Sequence, residues 1–212
     1  MRLHGYWRSG TSYRVRIALN LKGLDYEQAP HDLRAGAQHE PAYRAINPQG
    51  LVPALEVDGR VITQSPAILE WLEERYPEPA LLPADPDARA TVRAMAAVIA
   101  CDIHPLNNLR VLKVLKHDLG APQPQIDAWT ARWITDGFSA LEAMIAAHGG
   151  AYAFGDTPGL ADCYLVPQVY SAERFNVDLA RYPHIRAVAA HARAQPPFAA
   201  AHPDNQPDAA PH

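Results

Sequence analysis

Residues 3–23 read LHGYWRSGTSYRVRIALNLKG, and the order of residue types in this stretch sets the fold class. Residues 3–7 are a short apolar run that predicts a strand, and residues 8–12 are a polar turn. Residues 13–22 carry apolar side chains at helical spacing, and Gly23 is a typical helix stop. The stretch therefore predicts a strand that is followed, through one tight turn, by a helix.

The residues that follow repeat this change of type at short intervals. They predict, in order, a strand over 26–33, a helical turn over 43–46, and two strands over 51–57 and 60–63. Asp58-Gly59 joins the last two runs, and this dipeptide is a strong signal for a β-hairpin. The next helix begins at Ser65-Pro66, where Ser65 suits the N-cap, and it ends at Tyr76-Pro77. Residues 1–77 are therefore expected to form a small α/β layer with a mixed sheet.

Beyond residue 77 the pattern changes twice. Residues 78–88 are rich in proline and small side chains, which is typical of a linker. Residues 89–195 show helical spacing, with an amphipathic stripe over 126–145 and a nearly continuous apolar helix over 162–175. Residues 196–212 are rich in Pro and Ala, and we expect them to be a disordered tail. The expected organisation is an α/β N-terminal domain followed by an all-helical C-terminal domain.

Composition limits the kinds of partner that the protein is expected to bind. The chain of 212 residues has a net charge of -4, which gives no general attraction for nucleic acid. Local positive charge at Arg8, Arg14 and Arg16 nevertheless suits a small anion. No apolar run is long enough for a membrane span, and the N-terminus lacks the apolar core of a signal peptide. Cys101 and Cys163 are expected to be reduced, buried thiols, so we expect a cytoplasmic protein.

Two segments of the N-terminal domain offer hydroxyl groups and backbone N–H groups at a predicted helix start. One is the turn Ser9-Gly10-Thr11-Ser12, and the other is Gln64-Ser65-Pro66. A helix start attracts anions, and a hydroxyl that donates to sulfur lowers the pKa of a thiol. Each segment alone is more typical of an ordinary capped helix. Together, with Val52-Pro53 between them, they favour a peptide that carries both a thiol and a carboxylate, which describes glutathione.

Five segments resemble the zeta-class glutathione transferases, and they occur in the order that the family has. They are residues 8–19, 47–55, 64–74, 102–110 and 160–168. The similarity runs from Leu3 to about Ala187. It implies a thioredoxin-like N-terminal domain, an all-helical C-terminal domain, a homodimer and glutathione as the cofactor. It also implies glutathione-dependent cis–trans isomerisation of maleylacetoacetate or maleylpyruvate, with some glutathione transfer to α-halo acids.

The resemblance also implies roles for individual residues. Ser9 would lie beside the glutathione sulfur, with Thr11 and Ser12 as the neighbouring catalytic hydroxyls. The other expected contacts with glutathione are Gln38, Val52, Pro53, Gln64, Ser65, His104 and Asn108. The substrate of such an isomerase carries two carboxylates, and arginine binds carboxylates in a bidentate way. The candidates for that role are Arg8, Arg110 and Arg174.

The chain departs from the family signature at three neighbouring positions. Gly10, Thr11 and Tyr13 stand where serine, cysteine and tryptophan are usual. A Ser-Gly-Thr-Ser turn without cysteine resembles the maleylpyruvate isomerase branch more than the maleylacetoacetate branch. Two other functions stay open, namely conjugation of electrophiles to glutathione and non-enzymatic binding. No metal site is expected, because Asp102 and His104 are only two candidate ligands.

Overall fold

A computed structural model describes residues 1–209, and the chain divides into two compact units. One joins Met1–Leu81 to the chain from Arg193 onward, and we call it the α/β unit. The other, Leu82–Ala192, is built of helices, and we call it the helical unit. None of the helices within residues 1–209 has both the length and the apolar character that crossing a membrane requires.

The α/β unit contains a mixed sheet in the strand order β2-β1-β3-β4. The strands are β1 (Arg2–Gly5), β2 (Glu27–Pro30), β3 (Ala54–Val57) and β4 (Arg60–Thr63). β1 is parallel to β2 and antiparallel to β3, which pairs with β4 in the predicted hairpin. Asp58 and Gly59 both have positive φ, at 50° and 73°, as a two-residue hairpin turn with the twist of the sheet requires.

Three helices pack with this sheet. They are α1 (Gly10–Leu21), α2 (Pro41–Ile46) and α3 (Ser65–Arg75). α1 begins three residues before the predicted start, because Ser9 is its N-cap and the polar turn therefore forms the first helical turn. Ile17 and Leu19 of α1 and Ile68 and Leu72 of α3 are fully buried, so the core lies between these helices and the sheet.

Residues 196–205 are folded, although we expected them to belong to a disordered tail. Helix α9 (Pro196–Ala201) packs on α1, and a 3₁₀ turn (Pro203–Asn205) follows it. Phe198 is fully buried. Two side chains of α1 hold the backbone of α9, since Asn20 Nδ2 donates to Pro197 O at 2.9 Å and Arg16 Nε donates to Ala201 O at 3.0 Å. These contacts outweigh the weak local signal of a Pro/Ala-rich segment. The expected tail also included residues 210–212, which lie outside the described residues.

The helical unit is built around one buried helix, α7 (Leu160–Arg174), as the apolar sequence of residues 162–175 predicts. The helices are α4 (Pro86–Ala97), α5 (Leu109–His117), α6 (Gln123–His148), α7 (Leu160–Arg174) and α8 (Pro183–Arg193), with a π-helical turn (Val98–Ile103) after α4. Cys163 in α7 is buried as expected, but Cys101 in the π-helical turn is exposed, which corrects our expectation of two buried thiols.

The start of α7 is fixed by a carboxylate. Asp162 accepts hydrogen bonds from the backbone N–H groups of Gly159 and Ala153, both at 2.9 Å. Burial raises the pKa of Asp162 to about 6, against the opposing effect of these two hydrogen bonds. Glycine at position 159 therefore does not prevent a well-defined helix start, because Asp162 supplies the cap from inside the helix.

Candidate functional site

The turn after β1 places the hydroxyl of Ser9 at the N-terminus of α1. Ser9 Oγ accepts a hydrogen bond from the N–H of Ser12 at 3.2 Å and lies 2.9 Å from Thr11 Oγ1. Thr11 Oγ1 in turn donates to the carbonyl oxygen of Val52 at 3.1 Å. Because a hydroxyl has one proton, Thr11 is the acceptor in its contact with Ser9. Ser9 is therefore the donor to Thr11 in this structure, and its proton reaches an anion at this helix start by turning away from Thr11.

Ser12 takes a different position from the other two hydroxyl residues. It is fully buried, and a Cβ added at Gly5 of β1 would lie 3.1 Å from Ser12 Oγ. Within residues 1–209, Ser12 Oγ has no hydrogen-bond partner. The side chain thus packs beneath the turn against β1, and the contribution of Ser12 to the turn is its backbone N–H.

The segment before β3 is held by its carbonyl groups. Tyr43 donates its hydroxyl to Leu51 O at 2.6 Å, and Asn47 Nδ2 donates to the same oxygen at 2.7 Å. Burial raises the pKa of Tyr43 to about 12, so its phenol stays protonated and keeps donating at neutral pH. The Val52-Pro53 peptide bond is cis. Hydrogen bonds to two successive carbonyls therefore fix the backbone of Val52 beside Ser9 and Thr11.

The start of α3 forms a second polar site in the α/β unit. Gln64 is its N-cap, with φ 69° and ψ 116°, so Ser65 is the first helical residue and not the N-cap that we predicted. A non-glycine residue in this region of φ costs about 1–3 kcal/mol, and such strain is typical of functional sites. Gln64 Nε2 donates to Gln49 Oε1, which ties this helix start to the loop before β3.

Ser65 lies over a buried arginine. Ser65 is buried, and its Oγ accepts a hydrogen bond from Nη1 of Arg14 at 3.3 Å. Arg14 belongs to α1 and is itself only 2% exposed. The N-terminus of α3 therefore combines backbone N–H groups, a hydroxyl and a nearby guanidinium, which is a favourable setting for a carboxylate.

Gln38 lies next to the loop that carries Gln49. It is in a 3₁₀ turn (Ala37–His39), is buried, and has its Nε2 3.1 Å from Nε2 of His39. Its Oε1 is buried and has no partner among the residues that the structure describes. Gly50 has φ 65°, and a Cβ there would lie 3.0 Å from Gln38 O, so only glycine allows this close approach.

The three early arginines have separate environments, which corrects the picture of one local positive cluster. Arg8 is half-buried, and its Cζ lies 5.2 Å from the centre of the Trp7 ring. Arg14 is beneath Ser65. Arg16 is 1% exposed and donates to two backbone carbonyls, those of Trp7 and Ala201. Of these three guanidinium groups, Arg8 is the one placed to meet a ligand from solvent.

Four predicted site residues belong to the helical unit. His104 follows the π-helical turn and is half-buried. Asn108 is the N-cap of α5, and its Oδ1 accepts from the backbone N–H of Arg110 at 3.1 Å. Arg110 is exposed, and so is Arg174 at the end of α7, whose Cζ lies 4.8 Å from the ring centre of Phe175. Both guanidinium groups are thus accessible to an anionic ligand.

The groups of the α/β unit fit glutathione in their chemistry. Ser9 offers a hydroxyl proton at a helix N-terminus, which suits a thiolate, and the start of α3 suits a carboxylate. The buried amide oxygen of Gln38 offers an acceptor for an ammonium or amide group. By contrast, residues 1–209 contain no group of three or more His, Cys, Asp or Glu side chains that is arranged to hold a metal ion.

Comparison with known protein families supports the interpretation of the chain that its sequence and its site suggest. The model for the N-terminal domain of glutathione S-transferase matches residues 3–80, and the model for the C-terminal domain matches residues 123–198. The chain belongs to the glutathione S-transferase family. The resemblance seen in the sequence and the α/β plus all-helical architecture are thereby confirmed for this transferase.

Individual relatives are similar over nearly the full length of the transferase. It is 56% identical to a maleylpyruvate isomerase of a Ralstonia species, over 99% of this chain and 100% of that protein. It is also 56% identical to a maleylacetoacetate isomerase of Pseudomonas aeruginosa, over 98% of each chain. These two relatives carry the two activities between which the sequence left the choice open.

Solved structures agree with these relatives. A holo structure of a maleyl pyruvate isomerase, described as a bacterial glutathione S-transferase of the zeta class, superposes with a TM-score of 0.97 at 56% identity, over 99% of this chain and 100% of that one. A maleylacetoacetate isomerase from Anaeromyxobacter dehalogenans, with dicarboxyethyl glutathione and citrate in its active site, gives a TM-score of 0.89 at 48% identity, over 99% and 97% of the two chains. The zeta class is therefore confirmed for this transferase.

Sequence reasoning missed one residue that the structure brings to the site, and it missed the position of another. Gln49 lies in the Asn-Pro-Gln-Gly segment, whose resemblance to the family was a signal, but its contact with Gln64 joins positions that are 15 residues apart. Arg14 was grouped with Arg8 and Arg16 as local positive charge for a small anion, and only the packing of α1 against α3 shows that it lies beneath Ser65.

Proposed function

We propose that this transferase is a glutathione-dependent cis–trans isomerase of a maleyl dicarboxylate, acting on maleylpyruvate or maleylacetoacetate. Bound glutathione supplies a thiolate that adds reversibly to the double bond, which lets the bond rotate, so that glutathione is not consumed. The remaining work falls to the residues of this chain. They must lower the pKa of the thiol, bind two carboxylates and donate hydrogen bonds where negative charge develops on the substrate.

The observation that carries the proposal is the relay of hydrogen bonds from Ser9 through Thr11 to Val52. Thr11 donates to the Val52 carbonyl and accepts the proton of Ser9, and that proton would turn from Thr11 toward sulfur when a thiolate binds beside it. The N-terminus of α1 adds a favourable field for negative charge. We therefore assign the stabilisation of the thiolate to Ser9, the orientation of Ser9 to Thr11, and only a backbone contribution to Ser12.

The glutathione peptide is proposed to lie along the rest of the polar groups of the α/β unit. Its backbone would pair with Val52, before Pro53, and one of its carboxylates would bind at the start of α3 with Gln64 and Ser65. Gln38 would accept a hydrogen bond from it. His104 and Asn108 of the helical unit stay as predicted glutathione contacts.

The substrate is proposed to be held by arginines. A maleyl dicarboxylate has two negative charges, and the chain as a whole is acidic, so local cations must bind it. Arg8, Arg110 and Arg174 are the candidates. Arg8 is half-buried, and Arg110 and Arg174 are exposed. The Anaeromyxobacter relative, whose active site holds a dicarboxyethyl glutathione, supports a site of this type.

We also propose that the protein works as a homodimer in the cytoplasm. The family resemblance supports the dimer. The composition and the absence of a spanning helix within residues 1–209 are compatible with the cytoplasm.

The test is an assay of the purified protein with maleylpyruvate and with maleylacetoacetate, each with and without glutathione. The proposal expects rapid formation of the fumaryl product from one of them or both, only with glutathione present. Conjugation of a neutral electrophile without any isomerisation would instead favour a general transferase, which is the alternative function.

A further inference from the structure

The backbone of Trp7 is held on both of its polar groups by residues from elsewhere in the α/β unit. Its N–H donates to Oδ2 of Asp208 at 2.9 Å, and its carbonyl accepts from Nη2 of Arg16 at 2.9 Å. The N–H of Ser9 donates to the carbonyl of Tyr6 at 3.0 Å, so Trp7 and Arg8 are the two central residues of a tight turn. External groups thus fix the peptide planes of the turn that leads into Ser9.

Asp208 is carried by a segment that is itself anchored. Gln206 is buried, and its Nε2 donates to the carbonyls of Ala200 and His202 at 2.9 and 2.7 Å. Its Oε1 accepts from Nε2 of Gln28 at 2.8 Å, which ties the segment to β2. Asp208 itself is half-buried. The hydrogen bonds of Gln206, two residues earlier, hold the segment that carries it. Its carboxylate is therefore a fixed acceptor for the N–H of Trp7.

Arg16 completes the arrangement from the other side. Its guanidinium bridges the carbonyl of Trp7 and the carbonyl of Ala201, and its Cζ lies 5.4 Å from the ring centre of Tyr13. The same C-terminal segment thus meets the turn twice, directly through Asp208 and indirectly through Arg16. Arg8, whose guanidinium lies over the Trp7 ring, is part of the same fixed unit.

We infer that Asp208 is a positioning residue, which sets the direction of the Ser9 hydroxyl and of the Arg8 side chain by holding the backbone of Trp7. This inference rests on the proposed function, in which Ser9 and Arg8 meet glutathione and the substrate. In this proposal Asp208 contacts neither glutathione nor the substrate. Without its carboxylate, the buried N–H of Trp7 loses its acceptor, and the peptide between Tyr6 and Trp7 keeps only the weaker restraint of the hydrogen bond from the N–H of Ser9 to the Tyr6 carbonyl.

The test compares Asp208→Ala with Asp208→Asn, in the full-length protein. The amide of asparagine has an oxygen that accepts the same hydrogen bond, whereas alanine has none. Asp204→Ala is the matched control, because Asp204 is exposed on the same segment and its carboxylate is paired with His202. Thiolate absorbance of bound glutathione against pH and the kinetics with maleylpyruvate are measured for each variant, and thermal unfolding checks that each is folded.

We expect Asp208→Ala to raise the pKa of the bound thiol and to lower kcat/KM by roughly tenfold, since small displacements of catalytic groups are costly. Asp208→Asn should stay within about threefold of the wild type, because the hydrogen bond is kept. Asp204→Ala should match the wild type. If Asp208→Ala does not fold, Asp208→Ser replaces it, because serine is polar but too short to reach Trp7.

Two results would overturn the inference, and they are distinguishable from a failure of the proposed function. The first is a thiol pKa in Asp208→Ala equal to that in Asp204→Ala, while Ser9→Ala measured in parallel shifts it. The second is an Asp208→Asn variant that is as impaired as Asp208→Ala, which would mean that charge matters and the hydrogen bond does not. If instead Ser9→Ala also leaves the thiol titration unchanged, the proposed role of Ser9 fails, and the inference fails with it.

Discussion

The hydroxyl oxygens of Ser9 and Thr11 lie 2.9 Å apart, and the Thr11 hydroxyl donates its hydrogen bond to the carbonyl of Val52. This pair divides the work of the turn between two residues. Thr11 links the start of α1 to the loop before β3, and Ser9 keeps a proton that can be redirected. The family usually has cysteine at the position of Thr11, so in this chain a hydroxyl takes the place of a thiol beside the proposed site.

The first prediction separates the two hydroxyls. Ser9→Ala should raise the pKa of bound glutathione, because the thiolate loses its hydrogen-bond donor. Thr11→Val should raise it less, because it removes only the group that orients Ser9, and Thr11→Ser should resemble the wild type. Thiolate absorbance against pH measures all three. A larger shift in Thr11→Val than in Ser9→Ala would reverse the two roles.

The second prediction is that activity does not depend on cysteine. Cys101 and Cys163 both lie in the helical unit, and the proposed site of thiolate stabilisation has none. The double variant Cys101→Ala/Cys163→Ala should isomerise maleylpyruvate at nearly the wild-type rate. In the native protein a thiol reagent should modify Cys101, which is exposed, and leave the buried Cys163 unmodified. Loss of activity in a folded double variant would contradict this account.

The third prediction concerns the arginines. Charge-assisted hydrogen bonds contribute about 1.5–3 kcal/mol each. Changing Arg8, Arg110 or Arg174 to methionine should therefore lower kcat/KM for a maleyl dicarboxylate by roughly ten- to a hundredfold. A neutral electrophile, such as a chlorodinitrobenzene, should be affected much less, because it has no carboxylate to bind.

The matched control for this series is Arg132→Met, which removes an exposed arginine paired with Asp136. It should leave both activities unchanged. If a site variant loses the dicarboxylate and the neutral activity together, that arginine holds glutathione or the fold. If all three site variants keep full dicarboxylate activity, the substrate binds elsewhere.

The fourth prediction is a loss of stability in weak acid. His4 Nδ1 lies 3.0 Å from His31 Nε2, and His4 Nε2 lies 3.3 Å from Glu56 Oε2. Burial lowers the pKa of His31, electrostatic repulsion from His4 and Arg2 lowers it further, and Glu40 opposes them. Tyr43 also packs on the ring of His31. The unfolded chain then binds a proton more readily than the folded chain, so stability falls as pH decreases through about 6.5, the ordinary histidine value.

The measurement for this fourth prediction is Tm against pH from 8 to 5. His31→Gln keeps a polar side chain but does not titrate, so its Tm should fall less over this range than that of the wild type. His117→Gln, which changes an exposed histidine at the end of α5, is the control. An equal fall of Tm in His31→Gln and in the wild type would show that His31 is not responsible.

Much of the fold was predictable because its signals are local. The hairpin at Asp58-Gly59 and the apolar helix around Cys163 were both read from residue types and spacing alone. The segment after Pro196 was misread because its folding depends on partners in α1, about 180 residues earlier in the chain. Local composition cannot report such distant contacts.

The candidate site was predictable only in part, for a related reason. Hydroxyls at helix starts gave Ser9 and Ser65, and the resemblance supplied Gln38 and Gln64. The strained φ of Gln64 has no signal in composition, so Ser65 was wrongly taken as the N-cap of α3. The hydrogen bond that commits Thr11 to Val52 joins residues 41 positions apart and needed the structure. The roles of these residues with glutathione stay predictions.

The central claim is that glutathione acts here as a cofactor and not as a substrate, and its balance over many turnovers tests this directly. Purified protein is given a hundredfold excess of maleylpyruvate over glutathione, and both the fumaryl product and the free thiol are quantified at completion. The account predicts full conversion to the trans product with the glutathione concentration unchanged, and no conversion when glutathione is omitted. Conversion that stops when one equivalent of glutathione has been consumed, or that proceeds equally well without it, would contradict the account.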